Sequence, residues 1–96
     1  GGLPGNVPRV LPAGTRAVID SRAWQRPEIF DWLQQGGNVQ SDEMYRTFNC
    51  GLGMVLALAP GDAERAARIL RETGETVYRI GQIEKHAGEP EVVILA

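Results

Sequence analysis

The sequence predicts an α+β fold: a mixed β-sheet layered with helices, in the element order β-α-α-β-α-β-β. Segments with apolar residues at helical spacing alternate with shorter apolar segments of strand length, and glycine and proline separate them. Two strand-like segments with a short turn between them close the chain. A chain of 96 residues has room for one hydrophobic core, so residues 1–96 are predicted to be a single domain or part of one.

The first half of the chain begins with an irregular, Gly/Pro-rich segment at residues 1–14. A strand is predicted at residues 16–20. A helix then begins at Pro27 and ends at Gly36-Gly37, because proline suits the first helical position and glycine suits the end. Trp24 is expected to pack back on this helix.

A second, short helix should begin at Ser41 and end at Asn49-Cys50-Gly51. The continuously apolar residues 53–59 are predicted to form a central strand, covered on both faces. Asp62 is expected to cap the next helix, which ends at Gly74.

A strand is predicted at residues 76–84, with a bulge or bend at Gly81. The final strand, at residues 91–95, is expected to pair with it as a hairpin, which makes the predicted sheet mixed.

The bulk composition excludes several classes of protein. A net charge of −2 provides no basic surface for nucleic acid or an anionic membrane. A single cysteine does not indicate a secreted, disulfide-bridged scaffold. The sequence has no apolar run of the roughly 20 residues that a membrane-spanning helix needs, and no signal peptide is visible. A cytoplasmic location, with no nucleic-acid or membrane partner, is the expectation.

The first candidate site is the N-terminal glycine cluster. Gly1 and Gly2 allow backbone amides to approach a ligand closely, and Asn6 and Arg9 add an amide and a guanidinium suited to a phosphate or carboxylate. The alternative interpretation is a flexible end followed by a proline-rich turn.

The second candidate site joins Arg46, Thr47 and Asn49 at a helix-to-strand junction, where sheet proteins often bind ligands. The alternative interpretation is local: Arg46 pairs with Glu43 or Asp42, and Asn49 only caps the helix.

Other chemistry-bearing residues do not form a recognisable site. The sequence has no phosphate-binding Walker loop, no dinucleotide turn, no zinc-ligand spacing and no hydrolase nucleophile elbow. Cys50 is expected to be a small buried hydrophobe, and His86 is expected to lie solvated in a turn.

Three ordered motifs nevertheless resemble the closing portion of the phosphoribosylformylglycinamidine cyclo-ligases, also called aminoimidazole ribonucleotide synthetases. They are Asn-x-Pro-Arg-x-Leu-Pro at residues 6–12, Trp-x-x-Pro-x-x-Phe-x-Trp-Leu-Gln-x-x-Gly-x-Val at residues 24–39, and Glu-Met-x-Arg-Thr-Phe-Asn-x-Gly-x-Gly-Met at residues 43–54. The resemblance covers nearly the whole chain. It implies a C-terminal domain with a three-layer, partly ferredoxin-like arrangement.

The resemblance also implies a function. Such enzymes use ATP and Mg²⁺ to activate a formyl oxygen of formylglycinamidine ribonucleotide and then close an imidazole ring in purine biosynthesis. It implies that Gly1, Gly2, Asn6, Arg9, Arg46, Thr47 and Asn49 face or support the substrate cleft, with no catalytic residue identified. It further implies a missing N-terminal domain and a homodimeric full enzyme. The chain alone is expected to bind no metal and to be inactive.

A second hypothesis comes from another class of protein. The same residues would suit a stand-alone, non-catalytic module that binds a small anion or dimerises, with a related fold.

Overall fold

The computed structural model describes residues 1–95. Four α-helices, one 3-10 helix and three strands follow one another along the chain. They are α1 (Leu3–Asn6), the 3-10 helix (Val7–Val10), β1 (Thr15–Asp20), α2 (Glu28–Gly37), α3 (Ser41–Thr47), α4 (Pro60–Glu72), β2 (Gly81–Lys85) and β3 (Glu91–Leu95). None of the helices in this part of the chain is long and apolar enough to cross a membrane.

The sheet is mixed, as predicted, but its pairing differs from the prediction. Strand β1 lies in the centre, antiparallel to β2 and parallel to β3. The predicted hairpin between the last two strands is therefore wrong. Residues 86–90 instead carry the chain past the start of β1, where the His86 amide donates to the Gly14 carbonyl at 2.8 Å. Five residues are ample for this step, since neighbouring strands lie about 4.8 Å apart.

A central arginine explains why both outer strands flank β1. Arg16 lies opposite Glu84 of β2 and Glu91 of β3 in the strand register. Its guanidinium donates to Glu84 Oε1 at 2.6 Å and lies 3.5 Å from Glu91 Oε1. Arg16 thus places a cation between two carboxylates, and opposite charges across neighbouring strands are stabilising. His86 is half-buried, with its Nε2 atom 3.5 Å from Glu91 Oε1, and is thus not the solvated residue expected.

The hydrophobic core lies in the first half of the chain. Every residue classed as buried falls between Gly2 and Cys50, and none of residues 51–95 is buried. The buried apolar side chains come from α1, the 3-10 helix and the residue after it, one face of β1, α3 and the loops that follow β1 and α3: Leu3, Val7, Leu11, Ala17, Ile19, Trp24, Met44 and Cys50. Helices α2 and α4 contain no buried residue, so their apolar faces do not form a second hydrophobic core.

The predicted central strand at residues 53–59 is wrong. This segment has no regular secondary structure, and all seven residues are exposed. A strand needs a neighbouring edge to bond its N–H and C=O groups, and an apolar strand also needs cover on both faces. Within the described residues both edges of β1 are already taken by β2 and β3, so this segment has no place in the sheet beside the central strand.

Three further boundaries differ from the predictions. Helix α2 continues through Gly37 and ends when Asn38 takes a left-handed conformation with φ 51°. Helix α4 begins at Pro60 instead of following a cap at Asp62, because proline at the first turn loses no hydrogen bond. Only the last part of the strand predicted at residues 76–84 pairs. Gly81 opens β2 there with its Cα against the Val18 carbonyl, leaving no room for a side chain.

Candidate ligand-binding site

The N-terminal glycine segment docks on the end of α3. The Gly2 amide donates to the Arg46 carbonyl at 3.1 Å, and Gly2 is buried. A Cβ atom at this position would overlap the Tyr45 carbonyl oxygen and would lie 2.8 Å from the carbonyl carbon of Arg46. Only glycine permits this close approach of two backbones. The two motifs that sequence analysis singled out are thus joined by main-chain contact.

Asn6 holds the glycine segment in shape. Its Nδ2 atom donates to the Gly2 carbonyl at 2.8 Å across one turn of α1. A side chain on Gly1 would also run into the Asn6 amide. In the structure, the segment is a turn held by hydrogen bonds to α1 and α3. Arg9, in the 3-10 helix, is exposed and makes no ion pair within residues 1–95.

The side chains of the second cluster make local contacts. Arg46 Nη1 lies 3.3 Å from Glu43 Oε2 on the exposed side of α3. Asn49 Oδ1 accepts the Gly51 amide at 2.8 Å, which fixes the turn after α3. Thr47 is exposed at the last position of α3. These contacts are those of the alternative, local interpretation. An exposed ion pair contributes little, however, so Arg46 can exchange Glu43 for an anionic ligand at small cost.

The structure brings together part of the predicted set. Gly2 meets the main chain of Arg46 where α1 packs on α3, and Gly1 and Asn6 lie beside Gly2. The 3-10 helix that carries Arg9 packs towards the sheet. Asn49 lies in a separate turn, where the Cα of Gly51 faces the ring of Pro27.

Trp24 is a buried structural residue with contacts to α3 and to the turn after it that the sequence did not predict. Its indole Nε1 donates to the Cys50 carbonyl at 3.0 Å, and its ring meets Tyr45 of α3 edge-on at a centroid distance of 6.4 Å. It therefore fixes the turn after α3 instead of packing back on α2 alone. The sequence indicated the turn itself, through the helix end at Asn49-Cys50-Gly51, where Cys50 and Gly51 have positive φ of 52° and 100°. It gave no signal that Trp24 is the donor to the Cys50 carbonyl.

Cys50 is the small buried hydrophobe that the sequence predicts. Its side chain is fully buried, with Sγ 3.7 Å from the Met44 carbonyl oxygen, and burial raises the pKa of the thiol. Partial burial lowers the pKa of the neighbouring Arg26 guanidinium. The hydrogen bonds from Arg26 to Asp31 and the negative charge of Asp31 raise that pKa, and the net shift is upward.

The buried thiol of Cys50 should make the stability of the chain depend on pH and should react slowly with thiol reagents. The pKa of this thiol is raised in the folded state, so the thiol ionises more readily in the unfolded chain. The free energy of unfolding therefore keeps its full value below the pKa of an unfolded thiol, about 8.5, and decreases as pH rises beyond it. We expect a disulfide reagent to label the folded chain at least ~100-fold more slowly than the urea-unfolded chain at pH 8. Stopped-flow labelling with and without urea measures the ratio; equal rates would show that the thiol is accessible.

The grooves of the molecule lie elsewhere. One of about 380 Å³ is lined by Arg26, Asp31, Gln34, Gln35, Asn38 and Val39. Its polar groups already bond one another: Arg26 pairs with Asp31 and donates to Gln34 Oε1 at 3.0 Å, and Gln34 donates to the Val39 carbonyl at 3.0 Å. The predicted site residues line neither this groove nor the second one, of about 410 Å³, at the end of the sheet. Arg9, Arg46, Thr47 and Asn49 are all exposed, so the candidate site is an open surface.

The acidic, histidine and cysteine side chains do not gather at this surface. Over residues 1–95, no three of them lie close enough together to hold a metal ion. The predicted site residues offer amides, a hydroxyl and two guanidinium groups as donors, which suit an anion and not a cation.

Comparison with known proteins adds independent information. Residues 1–93 match the family model described as "AIR synthase related protein, C-terminal domain". The chain is 58% identical over 95 residues to a phosphoribosylformylglycinamidine cyclo-ligase of Chromobacterium violaceum, an alignment that covers 98% of this chain and 28% of that protein. It is 54% identical over 89 residues to the protein of the same name from Neisseria meningitidis serogroup C, covering 93% of this chain and 26% of that protein. The chain thus spans little more than a quarter of the length of these curated relatives.

Proposed function

Because the chain belongs to the AIR synthase related protein family, as its C-terminal domain, we propose that it is the C-terminal portion of an ATP-dependent cyclo-ligase. The reaction is the conversion of formylglycinamidine ribonucleotide to aminoimidazole ribonucleotide in purine biosynthesis. The observation that carries the proposal is the bond from the Gly2 amide to the Arg46 carbonyl. It joins the glycine segment just before the first family motif to the third motif at one surface, in a chain 58% identical to a protein of that name.

The role of this surface is to bind the anionic part of the ribonucleotide. Arg46 supplies a cation whose only ion-pair partner among the described residues is the exposed Glu43, so a phosphate can displace that carboxylate. Arg9 is a second exposed guanidinium on the same N-terminal segment. Asn6 is already engaged with Gly2, so its contribution is to hold the glycine turn in place. Thr47 and Asn49 complete the set proposed to face or support the ligand.

ATP and Mg²⁺ are part of the same proposal, in which the rest of the full protein binds them. When bound they would activate the formyl oxygen by phosphoryl transfer. The donors proposed to face the ligand fit a phosphate, and residues 1–95 contain no cluster of three metal ligands, so this chain's own residues are assigned only binding and orientation. The proposal includes a homodimeric, cytoplasmic full enzyme whose N-terminal portion completes the cleft.

Kinetics of the full-length enzyme test the site. We expect Arg46→Met to raise the KM for the ribonucleotide about tenfold or more, because a charge-assisted hydrogen bond to phosphate is worth about 1.5–3 kcal/mol. Arg9→Met should act in the same direction. The matched control is Arg68→Met, which removes an exposed arginine from α4. Three variants with the wild-type KM would contradict the assignment of this surface.

The isolated chain is expected to have no cyclo-ligase activity. Its site is an open surface with no cluster of metal ligands in residues 1–95, and it spans 28% of the first relative. Product formation from ribonucleotide and Mg-ATP, followed by a colorimetric assay for the aromatic amine, measures this. Turnover above the buffer blank would refute the expectation.

A further inference from the structure

Arg46 and Glu43 form an ion pair within helix α3. Arg46 Nη1 lies 3.3 Å from Glu43 Oε2, and the two residues are three positions apart on the same helix. Residues at this spacing are neighbours on a helix surface, so the pair forms within α3 and does not depend on segments that are distant in the sequence. The side chains of Arg46 and Glu43 are 69% and 50% exposed. A pair this exposed is weak, so its partners separate at small cost.

Glu43, and not its neighbour Asp42, is the acidic residue that holds this arginine. Asp42 Oδ1 accepts the Glu43 amide at 3.0 Å in the first turn of α3. We infer that Glu43 competes with the phosphate of the ribonucleotide for the Arg46 guanidinium, and that it thereby limits the affinity of the site. This inference rests on the proposed function, in which Arg46 binds that phosphate.

The competition follows from the two anions that one guanidinium can hold. A charge-assisted contact of Arg46 with a phosphate is stronger than its exposed pair with the Glu43 carboxylate, so the ligand displaces the carboxylate. The free energy of the broken pair is lost from the binding free energy of the ligand. Glu43 therefore affects binding through Arg46, without a contact to the ligand. This loss is the same for the bound substrate and the transition state, so it changes KM and not kcat.

Steady-state kinetics of the full-length enzyme test the inference. Glu43→Gln keeps the shape of the side chain and a carbonyl acceptor but removes the charge. We expect it to lower the KM for the ribonucleotide about 2- to 5-fold, the change that corresponds to the loss of an exposed ion pair. The matched control is Glu64→Gln, which removes the same charge from an exposed glutamate 3.9 Å from Arg79. The control should leave the KM unchanged, and equal effects of the two variants would overturn the inference.

The Arg46→Met background separates competition for the arginine from direct repulsion of the ligand. Glu43→Gln should have no effect on KM in this background, because the guanidinium that both anions share is gone. An equal decrease in KM in both backgrounds would overturn the inference, since Glu43 would then act on the ligand directly. An unchanged KM for Glu43→Gln beside a raised KM for Arg46→Met would also overturn it, while leaving the proposed function in place. A wild-type KM for Arg46→Met would refute the phosphate-binding role of Arg46 and this inference together.

Discussion

Trp24→Ala is expected to lower the free energy of unfolding by about 3–5 kcal/mol, the usual cost of removing a large aromatic side chain from a core. Trp24 is 6% exposed and packs edge-on against Tyr45. Its indole also donates to the Cys50 carbonyl at 3.0 Å, so the substitution leaves a buried acceptor without a partner. A small domain has only about 5–15 kcal/mol of stability in total, so complete loss of the cooperative transition would agree with the expectation.

The chain offers a matched control for Trp24. Trp32 is the only other tryptophan, and it is 71% exposed on α2. Trp32→Ala should change the free energy of unfolding by no more than ~0.5 kcal/mol. Trp24→Phe separates packing from hydrogen bonding, because it keeps an aromatic ring but removes the donor; we expect a loss of about 1–3 kcal/mol. Urea titrations followed by far-UV circular dichroism measure all three. Equal losses for Trp24→Ala and Trp32→Ala would contradict the core described here.

Gly2→Ala is expected to be the second most costly substitution, at about 1–3 kcal/mol or more, the range of overpacking in a close-packed interior. The cause is steric and not conformational, since Gly2 has φ −99° and ψ 176°, which alanine readily adopts. A methyl group there would overlap the Tyr45 carbonyl oxygen. Helix α1 must then move away from α3, which breaks the hydrogen bond from the Gly2 amide to Arg46.

Gly5→Ala is the control for Gly2→Ala. A Cβ atom on Gly5 has no neighbour within 4 Å, and Gly5 lies in the helical turn α1. Alanine should be neutral there, or stabilising by up to ~1 kcal/mol, because glycine is the poorer helix former. Urea titration gives both free energies. In the full-length enzyme, Gly2→Ala should also raise the KM for the ribonucleotide, whereas Gly5→Ala should not. A Gly2→Ala variant as stable as the wild type would show that the contact with α3 is not fixed.

Parts of the candidate site could be predicted from the sequence because they are local. Two unusual motifs identified Gly2 and Arg46, and the helix-end pattern identified the turn at Asn49. The bond from Asn6 to Gly2 spans four residues and is also local. The packing of α1 on α3 could not be predicted in this way, because it depends on a steric fit between backbones that are distant in the sequence. The role of Trp24 was missed for the same reason.

The sequence by itself determined the fold class, the positions of α2, α3 and α4 and of β1 and β3, and the burial of Cys50, since each follows from periodicity or residue type over a few positions. It did not predict α1, which lies in the segment expected to be irregular. Only the tertiary structure decided that β1 is the central strand. That choice depends on which strands pair, and the ion pairs of Arg16 with Glu84 and Glu91 act between residues far apart in the chain. It also decided that residues 53–58 remain outside the sheet. An apolar run in the sequence can indicate a buried strand. The strand forms, however, only where the free edge of a neighbouring strand can pair with its N–H and C=O groups.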